Sequence, residues 1–430
     1  AAHLARWPDD AGAPDVLYEY ARVALGAREG AAARRRLEDF IERYPAHTKA
    51  AAALYLLADT YQDDRGGKPG YADQALALFD RIASRHSGSQ FADRAYMRAA
   101  HLAYALGRYA EAERRYAGYR GSESQREARY WLARASEKQG KGERAREIYR
   151  SLGAGNDYYA LRSRARLDGA VGSDQGLFTV RGYRTGPPSP PARVAEAILV
   201  DPAARTASLL LALGERSYAR AELERAVTRL GRDPVLLAQW ATALDAWGFP
   251  GLTLQIGVRL GAEDAGRRFA YPAGFADAID AEARAHGLDA GLVLALIRQE
   301  SLFRADAVSP VGARGLMQVM PATGAEIAGA TGWSDYDPAV LFDPAVGLHF
   351  GAHYLAGQLD RFDGFWPAVL AAYNGGPHNV AVWWSFPERT LDAELWIDRI
   401  PYKETREYVK KVLTQYAAYR RLYPAPAAAR

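Results

Sequence analysis

Two stretches of the chain, LAYALGRYAEAERRY at 102–116 and ASEKQGKGERAREIY at 135–149, align along their whole length with a shift of 33 residues. Leu102 falls on Ala135, Gly107 on Gly140, Ala112 on Ala145 and Tyr116 on Tyr149. Each copy reads as a helix, a turn centred on glycine and a second helix. Glycine tolerates the left-handed backbone that ends a helix and reverses the chain, and the alanine lets the paired helices approach closely. One helix pair cannot cover its own apolar face, so repetition of the pair predicts stacking into a solenoid.

Working outward, ALYLLADTYQDDRGGKPGYADQALALF at 53–79 gives the same pattern with a few extra loop residues, and LLALGERSYARAELERAV at 210–227 reads the same way. A period near 34 is that of tetratricopeptide-like (TPR-like) helix pairs. An ordinary helical bundle is the competing reading, and the period favours the solenoid. The expected architecture is therefore mainly all-α, with a TPR-like helical superhelix over residues 1–155. The tyrosine-rich NDYYALRSRARL at 156–167 opens a second region, a helical linker domain over 156–265. Within it, GAVGSDQGLFTVRGYRTGPPSPPARV at 169–194 is rich in Gly and Pro and has no helical period, so an extended excursion is expected there.

Composition sets the outer limits. The chain has 430 residues, 49% hydrophobic and 25% charged, enough for several cores and ordinary for a globular protein in water. A net charge of +4 is spread along the chain. It suits a polyanion such as cell wall or nucleic acid, but solvated arginine faces are the preferred reading. With no cysteine, disulfides, thiolate catalysis and thiolate zinc sites are excluded. No apolar run approaches the roughly 18 residues of a membrane span. The opening AAHLARWPDD lacks the pattern of a secretory leader, so any leader is expected to lie outside this chain.

The pattern changes at Tyr271-Pro272, and residues 266–430 carry the chemistry. FADAIDAEARAHG predicts a helix that ends at Gly287, and Asp289 is placed to cap the next, which runs through GLVLALIRQES. On that helix Val293, Leu296 and Glu300 follow i, i+3, i+7 spacing, so Glu300 occupies a position that should face inward. A carboxyl withdrawn from water has a raised pKa and becomes a general acid near neutral pH. Spacing alone leaves a second reading open, a solvated glutamate at a frayed helix end. After Glu300 come Ser301, Ser309-Pro310, Gly312, Ala313 and Gly315, small residues in turn-forming order that leave room for a polymer. Gln318 can orient an amide or hydroxyl and Met317 offers a flexible apolar wall, although ordinary packing at the start of a helix also accounts for both. Pro321 suits the first turn of the following helix.

Taken together, Glu-Ser at 300–301, Ser-Pro-Val-Gly-Ala at 309–313, Gly-Leu-Met-Gln at 315–318, Ala-Tyr-Asn at 372–374 and Glu-Tyr-Val at 407–409 resemble the soluble lytic transglycosylases of bacterial cell-wall turnover. The resemblance implies a lysozyme-like catalytic domain over 266–430, preceded by a superhelix and a linker domain. It implies Glu300 as the single acid/base and Ser309 and Gln318 as sugar contacts. It further implies Met317 as cleft wall, Tyr373 and Asn374 near the site, and Tyr408 beside the reacting acetamido group and the glutamate. The implied partner is a peptidoglycan glycan strand, with cell-wall enzymes as further partners on the solenoid, in the periplasm or cell envelope. No cofactor and no nucleic acid partner is expected.

Most glycosidases use two carboxylates, and here a second is hard to find. Asp306 reads as a turn former, and Asp337 and Asp343 each precede proline and read as helix caps. One carboxylate suffices if the 2-acetamido group of N-acetylmuramic acid supplies the nucleophile. A lysozyme-type hydrolase that uses water is the alternative enzyme, and a glycan-binding solenoid adaptor with a degenerate domain is the alternative outside enzymes. His349 and His353 in GLHFGAHYL have the i, i+4 spacing of two zinc ligands. They lack the H-E-x-x-H glutamate and any obvious third ligand, so packing or surface histidines is the expectation and no metal site is assigned. The Gly-x-x-Gly of VGARGLM follows no strand and is not a nucleotide loop.

Overall fold

The structure, a computed structural model, describes residues 10–64, 66, 68–169, 196–261 and 264–424. The stretch expected to be an extended excursion, at 169–194, lies outside these residues apart from Gly169. Among the described residues every regular element is a helix, and β pairing is limited to two isolated bridges, Val308 with Arg314 and Arg314 with Val319. The all-α expectation holds.

The N-terminal helices are α1 (Ala13–Gly26), α2 (Gly30–Arg43), α3 (Ala50–Asp63), α4 (Tyr71–Arg85), α5 (Ala92–Ala105), α6 (Tyr109–Gly118), α7 (Gln125–Lys138), α8 (Gly142–Gly153) and α9 (Tyr158–Leu167). Next come α10 (Glu196–Leu199), α11 (Pro202–Ala212), α12 (Arg216–Arg229), α13 (Pro234–Ala246), α14 (Pro250–Leu260) and α15 (Asp264–Ala270). The remainder are α16 (Ala276–His286), α17 (Ala290–Glu300), α18 (Pro321–Thr331), α19 (Pro344–Arg361), α20 (Trp366–Gly375), α21 (Pro377–Trp383), α22 (Glu388–Leu391), α23 (Ala393–Arg399) and α24 (Lys403–Leu422), with a 3-10 turn at Pro338–Phe342.

The repeat behaves as its spacing predicts. Leu102, Ala112, Tyr116 and their counterparts Ala135, Ala145 and Tyr149 are all buried. Gly107 and Gly140 have φ of 73° and 76°. The N–H of the next residue donates to a carbonyl five residues back, Arg108 to Ala103 and Lys141 to Ser136, both at 3.0 Å. That is the Schellman closure of a helix end, which needs a left-handed residue in the turn. The same closure follows Gly214 (Glu215 to Leu210, 2.8 Å) and Gly248 (Phe249 to Leu244, 2.9 Å). In the first pair the left-handed position is Arg28, at φ 61°, and Glu29 closes onto Ala24 at 2.9 Å.

The chain divides into two compact units, Ala1–Gly172 with Ser385–Arg399 and Ser173–Trp384 with Ile400–Arg430. This differs from the sequence-drawn boundaries at 155/156 and 265/266 in two ways. Helix α9 packs on α8 and stays with the N-terminal helices. Residues 385–399, drawn within 266–430, also belong with them, for an electrostatic reason. Glu394 of α23 is buried and accepts from Arg134 Nη1 at 2.7 Å and Arg162 Nε at 2.6 Å. Asp398 accepts from the Trp131 indole at 2.7 Å and the Tyr159 hydroxyl at 2.9 Å. Burial opposes the charge on Glu394, but Arg162, Arg134 and Arg166 outweigh it and hold the carboxyl far below the usual range. A buried carboxylate is tolerated only with such partners.

In the second unit, α10–α15 close over a core around Leu223, Trp240, Leu244 and Ile256. Helix α17 is the axis of the C-terminal helices. Ala290 through Ile297 are buried without a break, so apolar residues cover every side of it except the last turn. Helix α24 packs along it and α20 packs on α24. The α17 N-terminus is fixed as expected: Asp289 accepts from the N–H groups of Gly291 (2.8 Å) and Leu292 (3.3 Å), and also from the Tyr416 hydroxyl at 2.6 Å.

Candidate active site

Glu300 is the last residue of α17, where the buried helix reaches partial exposure. The chain then leaves through Leu302 and Phe303, both left-handed at φ 52° and 62°. Such backbone costs free energy in residues with a Cβ and concentrates at functional sites. Burial pushes the Glu300 pKa from 4.5 up to about 7, with a hydrogen bond from Tyr408 pulling partly the other way. The Tyr408 hydroxyl donates to Glu300 Oε1 at 2.5 Å. Tyr408 is 5% exposed, and burial together with the neighbouring glutamate drives its pKa well above 10, so it remains a donor throughout the range in which Glu300 titrates. The inward-facing reading of Glu300 is the one realised.

The small-residue loop after Glu300 is a tight double hairpin. Ser309 N–H donates to Ala313 O at 3.0 Å, and the Ser309 hydroxyl accepts from Ala313 N–H at 3.0 Å. Arg314 and Val319 exchange two backbone bonds at 3.0 Å. Gln318, left-handed at φ 51°, donates from its amide to Ala307 O (3.1 Å) and Gly315 O (2.9 Å), so it staples the loop from inside. A Cβ on Gly315 would lie 2.0 Å from Leu341 O. No other residue fits that approach.

The remaining residues from the sequence join this loop to α20 and α24. Met317 is fully buried, and Gly351 of α19 gives it room, since a Cβ there would sit 2.4 Å from its sulfur. Its side chain is therefore packing within the domain and not an exposed wall. What Met317 presents is its carbonyl, which accepts from the Tyr373 hydroxyl at 2.8 Å. Asn374 Oδ1 accepts from the Thr405 hydroxyl at 2.8 Å. Thr405 is not singled out by the sequence motifs. Its helical spacing from Tyr408, three residues on, was the available signal.

The three aspartates considered as a second acid are engaged elsewhere. Asp337 and Asp343 cap the turns that follow them, accepting from Ala339 N–H (2.8 Å) and Ala345 N–H (2.9 Å). Asp306 pairs with Arg220 at 2.8 Å. The site thus combines one carboxyl of raised pKa, a phenol donor on it, and a rigid loop of small residues. That is equipment for proton donation and recovery at one position.

Residues 277–395 match the family model described as Transglycosylase SLT domain, and residues 1–139 match one described as Outer membrane lipoprotein. The chain is 29% identical to the soluble lytic murein transglycosylase of Salmonella typhimurium over 301 residues, 68% of this chain and 43% of that protein. It is 38% identical over 128 residues to the protein of the same name from Escherichia coli K12, 30% of this chain and 20% of that one. In three dimensions it is similar to the 70 kDa soluble lytic transglycosylase of E. coli, with a TM-score of 0.69, 23% identity and coverage of 95% of this chain and 62% of that chain. It is also similar to an inactive glutamate-to-glutamine mutant of the lytic transglycosylase Slt from Pseudomonas aeruginosa, with a TM-score of 0.62, 23% identity and coverage of 96% and 64%. The resemblance drawn from the motifs is the one these comparisons return. The chain spans less than half the length of the Salmonella relative. No helix among the described residues is long and apolar enough to cross a membrane.

Proposed function

We propose that this protein is a lytic murein transglycosylase of the bacterial cell envelope. It cleaves the β-1,4 bond between N-acetylmuramic acid and N-acetylglucosamine without water and leaves 1,6-anhydro ends. The observation that carries the reading is the Glu300 carboxyl, raised to about 7 by burial and held by Tyr408. At neutral pH such a group exists in both forms, as a two-stage acid/base requires.

In the first stage Glu300 gives its proton to the leaving glycosidic oxygen while the 2-acetamido carbonyl oxygen attacks C1. In the second, the Glu300 carboxylate takes the proton of the sugar's own 6-hydroxyl, whose oxygen closes on C1 and expels the acetamido oxygen. Atoms balance with no water consumed. Tyr408 holds the carboxyl and the acetamido group in line, a positioning contribution. Ser309 and Gln318 lie on the loop that would border the sugar. Met317, Tyr373 and Asn374 act by fixing that loop to α20 and α24. In this reading the N-terminal helices through α9, with residues 385–399 as a strap on them, are a scaffold superhelix, α10–α15 a linker, and the helices from α16 on outside that strap the catalytic region. The substrate is the peptidoglycan glycan strand and the site of action is the periplasm. In the Pseudomonas protein a Glu-to-Gln mutant is inactive, and Glu300 is the glutamate of this chain proposed for such a role.

Digestion of purified peptidoglycan followed by mass spectrometry of the muropeptides tests it. Anhydro ends are the expected product. Reducing ends one water heavier would make the protein a hydrolase, and no soluble product would make it a binding protein.

A further inference from the structure

Helices α16 and α19 pack against each other in the second unit. Each carries a pair of metal-capable side chains one helical turn apart, Glu282 and His286 on α16 and His349 and His353 on α19. Residues at i and i+4 share a helix face, and here the two faces meet. Glu282 Oε2 lies 3.1 Å from His349 Nδ1 and 3.3 Å from His286 Nε2. One ligand atom from each of Glu282, His286 and His349 falls within 4.8 Å of the other two. The His286 ring is centred 6.0 Å from that of His349 and 5.8 Å from that of His353. The third ligand that sequence spacing alone did not offer is thus supplied by a helix 67 residues earlier in the chain.

We propose that Glu282, His286 and His349 form a site for a divalent transition metal of the zinc type, which His353, not within that 4.8 Å set, completes as fourth ligand by turning toward the ion. The dimensions fit. Zinc binds imidazole nitrogen at about 2.0–2.1 Å and carboxylate oxygen at about 2.0–2.2 Å, which sets the edge of a tetrahedron at about 3.3 Å. The two separations from Glu282 Oε2, 3.1 and 3.3 Å, are close to that length. Three imidazoles and one carboxylate suit zinc, copper or nickel, whereas calcium and magnesium prefer all-oxygen sites. The side chains retain 19–37% exposure, so an ion can enter from solvent without unfolding. A bound ion would tie α16 to α19. Because α16 leads directly into α17, it would brace the helix that ends at Glu300. Nothing in this inference depends on the glycan chemistry proposed above.

A hydrogen-bonded Glu282 shared by two histidines is the competing account, and metal titration separates them. The full chain, stripped with chelator, is titrated with Zn2+ alone by calorimetry and thermal melting, and with Co2+ by visible absorption. One equivalent bound, a rise in Tm and the absorption bands of four-coordinate cobalt are expected. His286→Ala and His349→Ala should each weaken Zn2+ binding at least tenfold and abolish those bands, while His86→Ala leaves both unchanged. Far-UV circular dichroism of the metal-free variants reports whether they fold. If one does not, His353→Ala and the wild-type cobalt spectrum carry the decision. Absence of the four-coordinate bands in wild type, or equal Zn2+ affinity in wild type and a folded double variant, would overturn the site.

Discussion

The Tyr408 hydroxyl sits 2.5 Å from Glu300 Oε1, joining two sequence motifs 108 residues apart. A phenol that donates to a carboxylate favours its charged form. This bond is what keeps the Glu300 pKa near 7 while burial drives it upward. Tyr408→Phe removes the donor without removing the ring. The Glu300 pKa should then rise, and the alkaline limb of the kcat/KM profile should move above the wild-type limb near 7. A hydrogen bond to a charged group contributes about 1.5–3 kcal/mol, so the rate at the optimum should fall on the order of 10- to 100-fold. Peptidoglycan digestion across the neutral range checks both, and an alkaline limb that stayed in place would contradict the role given to Tyr408.

Glu300→Gln separates function from stability. Loss of the acid/base should lower activity about 10²- to 10⁴-fold. The stability effect has the opposite sign. In the folded protein Glu300 holds its proton up to about 7, whereas the unfolded chain releases it near 4.5. Between those values the native state binds more protons, so the group's contribution falls as pH rises, by at most about 1.4 kcal/mol per pH unit. Glutamine carries no such charge. The variant's Tm should therefore exceed that of wild type at about pH 8 and converge on it by about pH 5, as thermal melts at the two values would show.

The repeat, its glycine turns and the Asp289 cap were legible in sequence because each depends on residues within one or two helical turns. Glu300 was legible as an inward position, and the motifs supplied its partner. The buried state of Met317 was not, because it is decided by the absence of a side chain at Gly351 on another helix. Nor was the allegiance of residues 385–399. Glu394 reads locally as one more surface acid, and the arginine that decides its fate, Arg162, lies 232 residues away. The histidine pair on α19 was visible, but its partners on α16 became neighbours only through packing.

Arg28 occupies a position that four other helix pairs give to glycine, Gly107, Gly140, Gly214 and Gly248. It is left-handed at φ 61°, it is exposed, and its turn closes through Glu29 onto Ala24. A left-handed residue with a Cβ costs roughly 1 kcal/mol relative to glycine. The greater freedom of glycine in the unfolded chain offsets part of that. Arg28→Gly should raise stability by about 0.5 kcal/mol and Arg28→Ala should not. Denaturant unfolding of both variants measures the difference, and equal midpoints would show that the turn is not strained.

Glu394 holds the 385–399 segment to the N-terminal helices through Arg134 and Arg162, with Arg166 at 3.5 Å. Removing one member of a buried ionic cluster leaves the others uncompensated, at a cost of about 3–5 kcal/mol. Glu394→Ala should therefore destabilise the N-terminal unit by several kcal/mol in chemical denaturation and make residues 385–399 cleavable by a protease that leaves wild type intact. Glu394→Gln keeps the shape and some hydrogen bonds but not the charge that Arg134, Arg162 and Arg166 share, so it should recover little of the loss. Since Glu300, Tyr408 and their loop belong to the other compact unit, the Glu300 pKa read from the pH profile should be the same in Glu394→Ala as in wild type. A profile displaced by this substitution would mean that the strap does more than hold the segment in place.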